Sequence, residues 1–171
     1  MKLEKKDRLI LANQYRILEL LDEGKAPEHR KNREIVEEGF EGLYGRIYEA
    51  ISEDTITEAE CKEVADTLNM FSALKWSFAK LNDTSGIDES LIKFEGYDGN
   101  EETKFWSFAK FFCEGLGRFR ELDKGDDFNS HCPMRPAYNR MLSVWNTLPP
   151  NAKRNLSKDQ IRSITAAFTN P

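Results

Sequence analysis

The chain has 171 residues, a length at which one hydrophobic core can form without disulfide or metal support. Hydrophobic residues make up 39% and charged residues 32% of it, which excludes an intrinsically disordered chain. The net charge is −5, whereas a DNA-binding domain of this size usually carries a basic face and a basic overall composition. We therefore expect a folded protein whose main partner is not nucleic acid.

The apolar runs, the N-terminal stretch and the cysteines indicate the cellular compartment. No apolar run approaches the roughly 20 residues that span a bilayer, and the charged stretch from Met1 to Asp7 does not have the pattern of a signal peptide. The chain has an odd number of cysteines, and they are widely spaced, at Cys61, Cys113 and Cys132. They therefore match neither a redox motif nor a zinc motif. We predict a cytoplasmic protein with reduced thiols, no membrane association, no metal and no cofactor.

Helical periodicity dominates the first half of the chain. Gly39 is expected to end a helix, and Thr57 with Glu60 forms a capping box that opens a long one. Gly42 and Gly45 follow Gly39 and interrupt the stretch between these two signals, which favours a short or irregular helix there. The helices are predicted at residues 4–22, 27–38, 40–51 and 57–81.

The second half alternates helices with polar loops. Helices are predicted at residues 101–119, 133–147 and 158–168, the first with Asn100 as its N-cap and the last opened by a capping box at Ser157. The loop at residues 82–100 is expected to contain a brief extended piece from Leu91 to Phe94. Without any convincing β-alternation, residues 1–171 are predicted to form a single all-α domain of six to seven helices, with two polar loops flanking a central aromatic-rich helix.

These two loops hold the residues most typical of a functional site. A straight helix between the loops would separate them by about 27 Å, so they share a pocket only if the second loop returns along the helix. Aspartate and asparagine in such loops most often cap turns and helices. The arginines either bind an anionic ligand or clamp an aspartate in an ion pair, and the clamp is favoured. The candidate residues are Asp98, Asn100, Arg118, Asp126, Asp127, Asn129, His131 and Arg140.

Metal and nucleophile chemistry are disfavoured at the second loop. The Asp126–Asp127 pair lacks the regular acidic alternation of a calcium loop. His131 and Cys132 are adjacent, but a structural zinc site commonly needs four such ligands. Adjacent residues also rarely present a nucleophile and its base to one reaction centre.

Four segments resemble a known family. They are RLILANQY at residues 8–15, ECKEVADTLNMFSAL at 60–74, FEGYDGN at 94–100 and RFRELDKGDDFNSHCPMRPAYNRMLSVW at 118–145. Through them the chain resembles the YfbU family of bacterial helical proteins almost from end to end. The resemblance implies an all-α fold and a cytoplasmic protein that self-associates, and it implies no reaction, ligand or catalytic residue.

Three hypotheses for the function follow. The favoured one is a non-enzymatic interaction or regulatory protein that forms homo-oligomers and binds a protein partner. The second is a hydrolase or nuclease that uses Asp126, Asp127, Asn129 and His131, with arginines holding a phosphate. The third is a regulator that contacts nucleic acid through basic segments near the two ends, at residues 2–8 and 153–162.

Overall fold

The computed structural model describes residues 2–52 and 54–169. The described residues form no strand, and the predicted all-α class is confirmed. An isolated parallel bridge joins Tyr97 to Asn129. The seven α-helices in this part of the chain are α1 (Lys5–Leu21), α2 (Ala26–Glu38), α3 (Tyr44–Tyr48), α4 (Glu58–Phe78), α5 (Thr103–Lys110), α6 (Arg135–Thr147) and α7 (Lys158–Ala166).

Local sequence signals place most helix ends. The Thr57 hydroxyl accepts a hydrogen bond from the Glu60 amide, and the Glu60 carboxylate accepts one from the Thr57 amide, so the predicted capping box opens α4. Ser157 and Gln160 open α7 in the same way. Gly39 ends α2 with a φ of 75°, a left-handed conformation that glycine adopts without a Cβ penalty.

The aromatic helix is shorter than predicted. The sequence indicated one helix over residues 101–119, but α5 ends at Lys110 and continues as a single π-helical turn over Phe111–Gly115. Such turns close i→i+5 hydrogen bonds and are rare outside short insertions. The chain then reverses at Gly117, which has a φ of 63°, and the Arg118 amide donates to the Phe112 carbonyl oxygen.

Two further local predictions were wrong at least in part. The stretch from Leu91 to Phe94 was expected to be extended; Lys93 is, but Leu91 and Ile92 belong to a 3-10 turn over Glu89–Ile92, which the Asp88 side chain caps through the Ser90 amide. Asn100 is not the N-cap of α5, since Glu102 occupies that position.

The helices fall into two compact units, one ending at Asp54 and the other beginning at Thr55. In the first unit α1 packs on α2. The Arg8 guanidinium donates to the Val36 and Glu37 carbonyl oxygens at 3.3 Å near the end of α2. The buried apolar residues of this unit are few, namely Ala12, Ile35, Val36 and Tyr44.

The second unit has the larger core, arranged around α4 with α5, α6 and α7 against it. At its centre five aromatic rings meet with centroids 5.0–6.1 Å apart, close enough for edge and offset contacts. These rings belong to Phe71, Phe94, Tyr97, Phe128 and Tyr138. Nowhere in the described residues does a helix have the length and apolar character required to cross a membrane.

Candidate functional site

The two polar loops lie side by side. The Tyr97 amide donates to the Phe128 carbonyl oxygen at 3.1 Å, and the Ser130 amide donates to the Tyr97 carbonyl oxygen at the same distance. The Gly99 amide donates to Asn129 Oδ1 at 3.1 Å. We call this junction of residues 96–99 with residues 127–130 the loop seam. The separation of about 27 Å, which assumed a straight helix between the loops, is therefore not the geometry of the protein.

Glycine permits the close approach of the two backbones. A Cβ on Gly96 would lie 1.8 Å from the Phe128 carbonyl oxygen, and the φ of Gly96 is 94°. Both facts restrict this position to glycine. The second loop also runs back along α5, because Trp106 Nε1 donates to the Asp127 carbonyl oxygen at 2.8 Å.

The acidic side chains of the seam mostly satisfy backbone amides. Asp98 is 4% exposed, and its Oδ1 accepts from the Asn100 amide at 2.7 Å and from the Glu101 amide at 3.0 Å. Asp126 Oδ1 accepts from the Phe128 amide at 3.1 Å, and Asp127 Oδ1 from the Asn129 amide at 3.1 Å. These are Asx turns and caps, the role that their residue types most often have in loops.

Asn129 connects the two loops through one oxygen. Its Oδ1 accepts from the Gly99 amide in the first loop and from the His131 amide in its own loop. His131 is exposed and has a φ of 55°. Asn100 is exposed as well. The structure thus brings Asp98 and Asn129 to the same junction, while the His131 side chain lies at the protein surface.

The predicted arginine clamp was wrong. Arg140 donates from Nε to the Ala167 carbonyl oxygen at 3.1 Å and from a terminal nitrogen to that of Phe168, so it caps the end of α7. The Arg118 guanidinium lies 5.9 Å from the centroid of the Phe112 ring. Neither arginine pairs with Asp126, whose ion-pair partner is Lys124 at 3.5 Å.

Glu102 is a central residue that sequence reasoning missed. It is 7% exposed, and its carboxylate accepts from the amides of Asp98 at 3.1 Å, Met134 at 3.0 Å and Arg135 at 2.8 Å. It therefore satisfies the first amides of α6 and places a negative charge at the positive end of that helix. No local signal distinguishes it from its exposed neighbour Glu101.

Arg135 extends this network to α4. Its guanidinium binds Glu63 with two hydrogen bonds of 2.7 and 3.0 Å, and it lies 4.3 Å from the centroid of the Phe105 ring. The hydrogen bond to Glu63 raises the pKa of Arg135. Burial raises the pKa of Tyr97, whose hydroxyl lies within the same region of the core. Arg135 thus joins α6 to α4 and α5, next to the amides through which Glu102 connects the seam to α6.

Across the described residues, no group of three or more histidine, cysteine, aspartate or glutamate side chains is arranged to hold a metal ion.

The sequence model of the YfbU domain matches residues 1–167, nearly the whole chain. The chain belongs to the YfbU family. The seam lies inside the matched region, so the loops that carry the resemblance in sequence are also the loops that the YfbU fold joins in space.

Proposed function

We propose that this YfbU-family chain is a non-enzymatic cytoplasmic interaction protein that self-associates through α1. The supporting observation is a set of large aliphatic side chains on that single helix of 17 residues, each between 41% and 78% exposed. Single exposed aliphatic residues are common on protein surfaces, whereas a contiguous set marks an interaction surface. We call this set the α1 outer face: Leu9, Ile10, Ile17, Leu18, Leu20 and Leu21.

The geometry of α1 places this set on one half of the helix, in two groups separated by the exposed Asn13 and Gln14. At about 100° per residue, Ile10, Ile17 and Leu21 lie within about 20° of one line along the helix, with the other three residues on either side. Ala12 lies on the opposite side of the helix and is buried within the first unit. The helix therefore has two apolar faces, of which the first unit covers one.

Charge favours a second copy, in antiparallel orientation, as the occupant. The first two turns of α1 hold Lys5, Lys6 and Arg8 with one acid, Asp7, while Asp22 and Glu23 directly follow its last turn. Asp7 suits the start of the helix, but the excess of bases there and of acids at the end opposes the helix dipole. An antiparallel α1 from a second copy would place each lysine end beside an acidic end, and the two outer faces would bury one another.

The hydrolase alternative has less support. It needs the side-chain oxygens of the loop to converge on a substrate. However, Asp126, Asp127 and Asn129 each already use one side-chain oxygen to accept a hydrogen bond from a backbone amide. The arginine expected to steady a phosphate is also engaged elsewhere, since Arg140 caps α7. These contacts favour a structural role for the seam.

Sedimentation velocity over a range of protein concentrations tests the proposal. We expect the wild-type chain to dimerise and the Ile17→Glu variant to be a monomer, because the new charge would be buried between the two copies. Lys31→Gln is the matched control: it lies on an exposed position of α2 and lowers the net charge by the same amount. A wild-type chain that stays monomeric at all concentrations, or a control that dissociates equally, would contradict the proposal.

A further inference from the structure

The second unit contains a cavity of about 470 Å³ that is separate from the α1 outer face. This volume lies within the range of about 300–1,000 Å³ that is typical of small-molecule sites. Its walls come from the end of α4, the segment around residues 89–94 and the segment around residues 122–124. Apolar side chains form much of the lining: Phe78, Ala79, Ile92, Phe94 and Leu122.

Positive charge surrounds this apolar lining. Three lysines and one glutamate contribute to the wall, namely Lys75, Lys93, Lys124 and Glu89. Lys93 pairs with Glu89 at 3.5 Å, and Lys124 pairs with Glu95 at 2.5 Å. Lys75 differs from both, because the acceptor of its ammonium group is the neutral carbonyl oxygen of Glu121. Its charge is therefore not neutralised by that contact.

We propose that this cavity binds a carboxylate with an apolar tail, of the size of a medium-chain fatty acid. The tail would contact the half-buried Phe78 and the exposed Ala79 and remove their exposed apolar area from water, with the buried Phe94 and Leu122 also in the wall. The carboxylate would accept a hydrogen bond from the Lys75 ammonium group. A cationic ligand would be repelled by Lys75, and a neutral one would leave the charge of Lys75 unused.

Isothermal titration calorimetry with three ligands of equal tail length tests the charge preference on the wild-type chain. The probes are decanoate, decanol and decyltrimethylammonium, each kept below the concentration at which it aggregates. We expect decanoate to bind at a stoichiometry of one and more tightly than decanol, with the cation weakest. Equal binding of all three, or no saturable binding of decanoate, would overturn the proposal.

Variants then locate the site. Lys75→Met should weaken decanoate binding about tenfold, because a charge-assisted hydrogen bond is lost, and should leave decanol binding unchanged. Lys80→Met is the matched control, since Lys80 is an exposed lysine close in sequence that does not line the cavity. Equal losses in the two lysine variants would indicate nonspecific charge attraction and overturn the proposal.

A third variant tests the cavity itself. Ala79→Phe places a large ring at an exposed position of the wall, where it can fill the cavity without disturbing the buried core. We expect it to abolish binding of both decanoate and decanol while the thermal midpoint stays near that of the wild type. Unchanged binding in a folded Ala79→Phe variant would place the ligand elsewhere and contradict the assignment.

Discussion

Asp98 and Glu102 show how single side chains hold the junction before α5. The Asp98 amide donates to the Glu102 carboxylate, and the Glu102 amide donates to the Asp98 carbonyl oxygen. The Asp98 side chain also accepts hydrogen bonds from the Asn100 and Glu101 amides. The Glu102 carboxylate accepts hydrogen bonds from the two amides at the start of α6. A buried carboxylate with several donors is favourable, whereas the same donors left without an acceptor are costly.

Glu102→Ala should therefore destabilise the protein strongly. We expect the free energy of unfolding in urea to fall by about 2–4 kcal/mol, because two buried backbone amides and one partly buried amide lose a charged acceptor. Glu101→Ala is the control, since Glu101 is exposed and should change the free energy by less than about 0.5 kcal/mol. Similar, small effects of both substitutions would show that Glu102 does not hold the junction.

Among the elements, α4 is joined to its neighbours by two acids on its first two turns. Glu60 pairs with Lys104 of α5 at 2.7 Å, and Glu63 pairs with Arg135 of α6 at 2.7 Å. Both acids lie at the positive end of the α4 dipole. The hydrogen bond from Lys104, together with the one from the Thr57 amide, lowers the pKa of Glu60 from 4.5 to about 2.

This lowered pKa predicts that the free energy of unfolding depends on pH. A carboxylate with a lower pKa in the folded state stabilises that state above its unfolded pKa of 4.5, and the contribution is lost as the pH falls toward about 2. Glu60→Gln keeps a capping-box residue but removes the charge. We expect urea unfolding to show the variant less stable than the wild type at pH 7, with the difference shrinking below pH 4.5. A difference that is constant with pH would refute the ionic contact.

On the scale of the whole molecule, the two units have unequal cores. Among the residues that the structure describes, the unit beginning at Thr55 buries a cluster of 21 hydrophobic residues, whereas the unit ending at Asp54 buries four. Since buried apolar area is the main source of folding free energy, the larger unit has the means to fold alone and the smaller one does not. The sequence-based expectation of a single domain over residues 1–171 stays a prediction that this difference makes testable.

Expression of the two pieces tests it. A fragment of residues 55–171 should keep its helical circular dichroism and unfold cooperatively on heating. A fragment of residues 1–54 should show little stable helix in dilute solution, because helices with so small a core are marginal alone. Loss of cooperative unfolding in the larger fragment would support one interdependent domain.

The sequence predicted the structure correctly where a local signal determines it. The capping boxes at Thr57 and Ser157 and the glycine stop at residue 39 act within a few residues, and each lies where it was predicted. The return of the second loop along α5 was missed because it depends on contacts about 20 residues apart in sequence, such as the one between Trp106 and Asp127. The role of Glu102 was missed for the same reason, since its partner amides at Met134 and Arg135 are distant in sequence.

The loop seam also fixes part of the cavity wall, because residues of that wall lie just before the seam in sequence. Phe94 precedes the first half of the seam, and Leu122 and Lys124 precede the second half, so the seam ties together two of the three segments that form the cavity wall. A wall fixed in this way is preorganised, and a ligand entering it loses little binding energy to the ordering of loops. If the cavity binds the proposed carboxylate, the side chains that first suggested chemistry hold two segments of its wall in place.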